Sequence, residues 1–243
     1  AVADVTMTIE QGTLIALIGP NGAGKTTLFN MLTGESGPSS GTITLYTADG
    51  PVDITKKKAY QVAKLGVART FQNIRLFGAM TVKENVLVAR THLYRESFIG
   101  TMLRLPQFYQ QEAAVATAAD ELLDFFELAD VADEPTASLP YGTQRRVEIV
   151  RAVATKPQLL FLDEPAAGMN PEETADLGRL ITRIREHFGI TVVLIEHDMS
   201  LVMKLAESIY VLDHGAMIAS GTPNEIQTNA QVISAYLGGE NHA

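Results

Sequence analysis

The run Gly19-Pro20-Asn21-Gly22-Ala23-Gly24-Lys25-Thr26 follows the spacing G-x-x-x-x-G-K-[ST]. Glycine permits positive φ and close backbone approach, so successive N–H groups can face phosphate oxygens while a following helix adds the positive end of its dipole. Lys25 would then sit on the β and γ phosphates of a nucleoside triphosphate. The Thr26 hydroxyl offers a hard oxygen to Mg²⁺, which shares its oxygen ligands with phosphates. Thr27 closes the set of cofactor-binding residues in the first helical turn. An ordinary glycine-rich turn is the plain alternative, and the strand before and helix after the run argue against it.

A second candidate is Leu159-Leu160-Phe161-Leu162-Asp163-Glu164, four apolar residues ending in two acids. A buried parallel strand reads this way, and its C-terminal mouth is where ligands bind in α/β folds. There Asp163 would hold Mg²⁺ and Glu164 would orient or deprotonate a water. Alone, the pair equally fits a solvated turn; paired with the glycine run it points to phosphoryl chemistry. His197 follows another apolar run, Thr191 to Ile195, and by itself reads as a histidine satisfied at a strand end. His92, His187, His214 and His242 have no comparable setting.

These residues need elements to hold them. Leu14 to Ile18 reads as a buried strand before the glycine run, and Lys25 to Leu32 as a helix closed by Gly34. Val5, Met7 and Ile9 alternate with polar residues, predicting a strand with one wet face. Strand Thr42 to Tyr46, helical spacing at Ala59, Val62 and Ala63, and strand Val67 to Thr70 follow. Thr81 and Glu84 form a capping box, and Glu112 to Glu127 is amphipathic, so roughly 78–156 is mostly helical. Beyond it come strand Leu159 to Leu162, a helix opened by Asn170-Pro171, strand Thr191 to Ile195, and strands around Tyr210 and Met217. Thr222-Pro223-Asn224-Glu225 opens a helical tail to Leu237, with a loose end from Gly238. The order is that of an α/β core with a mostly parallel sheet, over 1–77 and 157–243, interrupted by a helical subdomain over about 78–156 within one domain.

The bulk numbers agree. The chain has 243 residues, 46% of them apolar and 19% charged, enough for one large domain. A net charge of −9 argues against nucleic acid as a partner. Without cysteine there is no disulfide framework or thiolate metal site, and a reducing compartment fits. Apolar runs fall far short of the roughly 20 residues that cross a bilayer, and no secretory leader is visible, so a membrane role must pass through another subunit.

Leu139-Pro140-Tyr141-Gly142-Thr143-Gln144-Arg145-Arg146 narrows the class. With Gln72, Gly168-Met169-Asn170 and His197 in the same order, it resembles the signature, Q-loop, D-loop and switch histidine of ABC-transporter ATPases. The resemblance implies a P-loop NTPase core with an N-terminal antiparallel β region, ATP and Mg²⁺ as cofactors, and hydrolysis by two cassettes stacked head to tail. Leu139, Tyr141, Gly142 and Thr143 of each would complete the other's nucleotide site, the helix N-terminus facing phosphate. His197 would contact the γ-phosphate and the water held by Glu164. Gln72 would sense the same phosphate, ligate Mg²⁺ and link the site to the helical lobe. Pro140 departs from the family's serine and supplies neither hydroxyl nor N–H, so backbone donors at Tyr141 to Thr143 are expected to suffice. The apolar segment Asn73 to Met80 fits either core or the surface where such cassettes receive a cytoplasmic helix of the membrane subunit.

Arg69 to Phe77, the Tyr-Gly signature, Glu164-Pro165-Ala166-Ala167-Gly168-Met169-Asn170-Pro171 and Val232 to Gly238 together resemble the ATP-binding subunits of branched-chain amino acid importers. That implies permease subunits, a second ATPase subunit or a second copy of this chain, a substrate-binding protein, and a peripheral place on the cytoplasmic face of the membrane. Urea-type uptake or lipopolysaccharide export systems share the motif set. A soluble ABC ATPase of DNA repair or translation fits less well, because no coiled-coil or zinc insert and no basic surface is visible. Only 18 residues precede Gly19, so the family's first strand, with the aromatic that stacks on adenine, is expected to be absent. Losing that contact would weaken ATP binding by about 1–3 kcal/mol.

Overall fold

A computed structural model describes residues 2–91 and 106–238. His92, His242 and the loose end beyond Gly238 lie outside the described residues. In chain order the elements are β1 (Leu14–Ile18), α1 (Lys25–Leu32), β2 (Thr44–Thr47), β3 (Gly50–Asp53), α2 (Ala59–Ala63), β4 (Val67–Arg69), α3 (Val82–Arg90), α4 (Pro106–Phe125) and α5 (Tyr141–Ala154). There follow β5 (Leu159–Asp163), α6 (Pro171–Phe188), β6 (Thr191–Ile195), α7 (Met199–Leu205), β7 (Ser208–Asp213), β8 (Ala216–Gly221), α8 (Pro223–Gln227) and α9 (Ala230–Gly238). Two compact units result, one of Ala1–Gln72 with Gln158–Ala243 and one of Asn73–Pro157.

The first unit is built on a six-stranded sheet in the order β4-β5-β6-β1-β7-β8, parallel except for the closing β7–β8 hairpin. β1 and β6 are buried along their whole length. That is why they read as unbroken apolar runs: helices cover both faces of a parallel sheet, leaving no wet side to alternate toward. Ile15, Leu17, Phe29, Phe161, Val193 and Ile195 form the core under the site, with Phe29 meeting Phe161 edge-on at 4.9 Å. Truncating either ring to alanine would cost about 3–5 kcal/mol. A separate antiparallel pair, β2 and β3, carries the antiparallel β region.

Helix ends obey their local chemistry. Asn170 caps α6 by accepting from the N–H groups of Glu172 and Glu173, Pro171 takes the first turn, and Gly189 ends the helix at φ +63°. Leu177, Leu180, Ile181 and Ile184 make its buried stripe.

Two expectations are corrected. Val5 to Ile9 does half-bury alternate residues, yet it forms no strand: Tyr210 Oη bonds the Thr8 backbone and Ala3 N–H reaches Gly215 O, so side chain and turn replace a ladder. The tail is two helices, not one, because Asn229 accepts from the N–H groups of Gln231 and Val232 and caps a new start.

In the second unit α3 packs against α4 and α5. Thr81 and Glu84 form the expected capping box at the start of α3. Asn85, fully buried, donates to the carbonyls of Phe77 and Thr81 and accepts from Phe77 N–H, which shapes the 77–81 turn. Phe77 stays 49% exposed on it, with the Arg151 guanidinium 5.7 Å from its ring centre.

Candidate active site

Sheet register sets the stage. Asp163 pairs with Ile195, and Ile195 with Leu17, so the tips of β5, β6 and β1 lie in one row. From that row the glycine loop, Glu164 and His197 all depart within two residues. Strands about 4.8 Å apart then bring the two acids, the histidine and the loop to one edge.

The loop is shaped by its glycines at two points. At Gly19, φ is +151° and a Cβ would fall 2.0 Å from the Leu212 carbonyl oxygen, so only glycine fits. Gly24, left-handed at φ 102°, caps α1 without a side chain in the way. Ala23 is buried, and its carbonyl accepts from Gly215 N–H at 2.9 Å. Asn21, Gly22, Thr26 and Thr27 are exposed, while Pro20 is half-buried. Lys25 is buried and donates to the carbonyls of Gly19 at 2.7 Å and Pro20 at 3.0 Å. Burial holds its amine below the ordinary lysine range, against the opposing pull of the Glu164 and Asp163 carboxylates.

Glu164 leaves β5 with φ +48°, a left-handed turn unusual for a residue with a Cβ. Its N–H still reaches Ile195 O at 2.9 Å. Its carboxylate is held from two sides, by His197 Nε2 at 2.6 Å on Oε1 and by Gln72 Nε2 at 2.9 Å on Oε2. The three expected catalytic side chains thus meet at one group.

Asp163 is buried; its Oδ2 accepts from Arg69 Nη2 at 2.8 Å, and Oδ1 takes no hydrogen bond among the described residues. Thr26 Oγ1 likewise carries none and is exposed. No cluster of three His, Cys, Asp or Glu among the described residues could cage a metal. Two hard oxygens with phosphates and water completing the sphere suit Mg²⁺, which seldom has an all-protein cage. The residues fit the ion. Gln72, also expected as a ligand, here has its amide nitrogen on Glu164.

Leu139, Tyr141, Gly142 and Thr143 lie in the other unit, at the start of α5. Pro140 stands at the N-cap with no side-chain bond to the first turn. Gln144 N–H is the first to return to a carbonyl, that of Pro140, so the N–H groups of Tyr141, Gly142 and Thr143 have no intrahelical partner.

A family model described as ABC transporter matches residues 2–167, and another, branched-chain amino acid ATP-binding cassette transporter, matches 216–242. The chain belongs to the ABC-transporter ATPase family. Of similar proteins, the high-affinity branched-chain amino acid transport ATP-binding protein BraF of Pseudomonas aeruginosa is 45% identical over 98% of this chain and 92% of its own length. LivG of Salmonella typhimurium, with the same description, is 44% identical over the same shares. Among solved structures, the ADP conformation of an ATP-binding cassette of an ABC transporter superposes with a TM-score of 0.81 at 30% identity, covering 98% of this chain and 92% of that one.

Two residues that hold the site of this ABC ATPase together receive no role from the sequence motifs. Arg69 grips the acid at the end of β5. Glu196, buried just past the end of β6, accepts from Ala166 N–H at 2.7 Å and His197 N–H at 3.0 Å, pinning the loop after Glu164 to the loop that carries His197. Its carboxyl sits above the usual range, chiefly through lost hydration and then the Glu164 charge, while N–H groups of Ala166, His197 and Asp198 pull the other way. An acid directly after an apolar strand and before His197 was the available signal; its partner Ala166 lies 30 residues away and leaves no local pattern.

Proposed function

We propose that this chain hydrolyses ATP to power branched-chain amino acid uptake through permease subunits, from the cytoplasmic face of the membrane. It would pair with a second ATPase subunit of the LivF kind or with its own copy, and a substrate-binding protein would deliver the solute. The observation that carries the catalytic reading is the Glu164 carboxylate, turned out of its strand and held by both Gln72 and His197. The substrate class rests on similarity to LivG and BraF along nearly the whole chain and on the match at 216–242. Among the described residues no helix is long and apolar enough to cross a membrane.

In this reading the Gly19–Thr27 backbone and Lys25 cradle the triphosphate. Thr26 and Asp163 hold Mg²⁺, which when bound neutralises charge on the β and γ phosphates. Glu164 orients water against the γ phosphorus and accepts its proton as the new P–O bond forms and the β,γ-bridging P–O bond breaks, releasing ADP and phosphate. His197 and Gln72 keep that carboxylate aimed. The open N–H groups of Tyr141, Gly142 and Thr143 serve the γ-phosphate of the facing cassette. Phe77 is the docking point for a helix of the permease.

The test is the assembled complex in vesicles. ATP hydrolysis that rises when leucine is supplied with the binding protein supports the proposal. A folded complex that ignores leucine, isoleucine and valine but responds to another solute refutes the substrate class, and one that retains no nucleotide refutes the whole.

A further inference from the structure

The Arg69 guanidinium sits where two parts of the phosphate machinery meet. It projects from β4, and its side chain is 8% exposed against 5% for its partner Asp163, so the ion pair is shut from water. Nη2 gives its proton to Asp163 Oδ2. Nη1 turns the other way, to Asn30 Oδ1 at 2.7 Å and Thr33 Oγ1 at 3.3 Å, on the helix that begins with Lys25 and Thr26. The rings of Phe29 and Phe71 lie 5.8 and 5.3 Å from its central carbon. A planar fork with donors pointing apart can make this span, and an ammonium cannot.

From this geometry we infer that Arg69 is the positioning residue for magnesium, an inference resting on the proposal that Asp163 and Thr26 hold the ion. By occupying Oδ2, the guanidinium fixes the carboxylate so that Oδ1 alone is presented. By holding Asn30 and Thr33, it ties that acid to the helix whose first turn supplies Thr26. One side chain thus links the acid to the helix that supplies the second ligand, on top of the spacing that the sheet imposes, as outer partners commonly orient metal ligands. Without it, Asp163 would be a buried carboxylate stripped of its ion-pair partner.

The experiment titrates the full chain with a fluorescent ATP analogue, in EDTA and across a Mg²⁺ series. Arg69→Met should raise the half-saturating Mg²⁺ by about tenfold while leaving affinity in EDTA within about twofold, the size of effect that outer-shell changes produce. Arg69→Lys should recover part of the loss. Asn30→Ala removes the shorter of the two far contacts and should shift the Mg²⁺ response the same way by a smaller factor; with Arg69→Lys it carries the test if Arg69→Met does not fold. A purely structural Arg69 would lower the melting temperature of these variants and leave their Mg²⁺ response at the parent value, and that result overturns the inference. Asp163→Asn separates the layers. If it keeps the full Mg²⁺ gain, the ligand assignment fails and this inference with it; if it loses the gain while the Arg69 and Asn30 variants match the parent, only the positioning role fails.

Discussion

Replacing Glu164 by glutamine keeps the outline that Gln72 and His197 hold and removes the proton acceptor. E164Q should therefore lower phosphate release by the assembled complex by about 10²–10⁴-fold, the range of a general base, with nucleotide binding preserved in a parallel titration. At Pro140 the expectation runs the other way. Three open N–H groups already start α5, so adding a hydroxyl with P140S should raise turnover by far less than the about hundredfold that one preorganised donor contributes. Steady-state ATPase assays on the complex measure it; a full hundredfold rise would show that the backbone donors do not suffice. Among single residues, those whose meaning is local were readable. The glycine run carries its φ requirements and lysine within eight positions, whereas the Arg69 grip on Asp163 spans 94 positions and has no periodic trace.

Elements carry their own predictions. The 77–81 turn is fastened by Asn85 and presents Phe77 outward. F77D should abolish leucine-driven transport in vesicles while ATP analogue binding by the chain stays unchanged; normal transport would exclude docking there. Glu196 joins the loops after β5 and β6, and its raised value fixes a sign. A folded-state value above the ordinary 4.5 means that the carboxyl's contribution is fully present below 4.5 and is lost as pH rises through the folded value. The stability of the parent relative to E196Q, read from urea melts, should therefore increase as pH falls through the folded value toward 4.5; a difference that stays flat from neutral pH down to 4.5 would contradict the burial argument. Strands β1, β5 and β6 were legible because burial on both faces writes an uninterrupted apolar run, and α3, α6 and α8 because capping residues mark their starts. Val5 to Ile9 misled because alternation reports which side is covered, not whether a ladder partner exists. The break at Asn229 was missed because apolar spacing continues through it.

At the level of the whole molecule, the sheet order carries more than any motif. β6 lies between β5 and β1, so the strand that leads to His197 also sets the spacing of its two neighbours, and a one-residue slip of β6 would turn His197 away while leaving every motif intact. The left-handed backbone at Glu164 has a wider consequence. An ordinary residue there holds about 1 kcal/mol or more of conformational strain, and glycine or asparagine would release it. Screened for heat resistance alone, a mutant library should drift toward those residues at 164, and its sturdier members would be dead enzymes. The corner that makes this protein useful is also one where selection for toughness and selection for work pull in opposite directions.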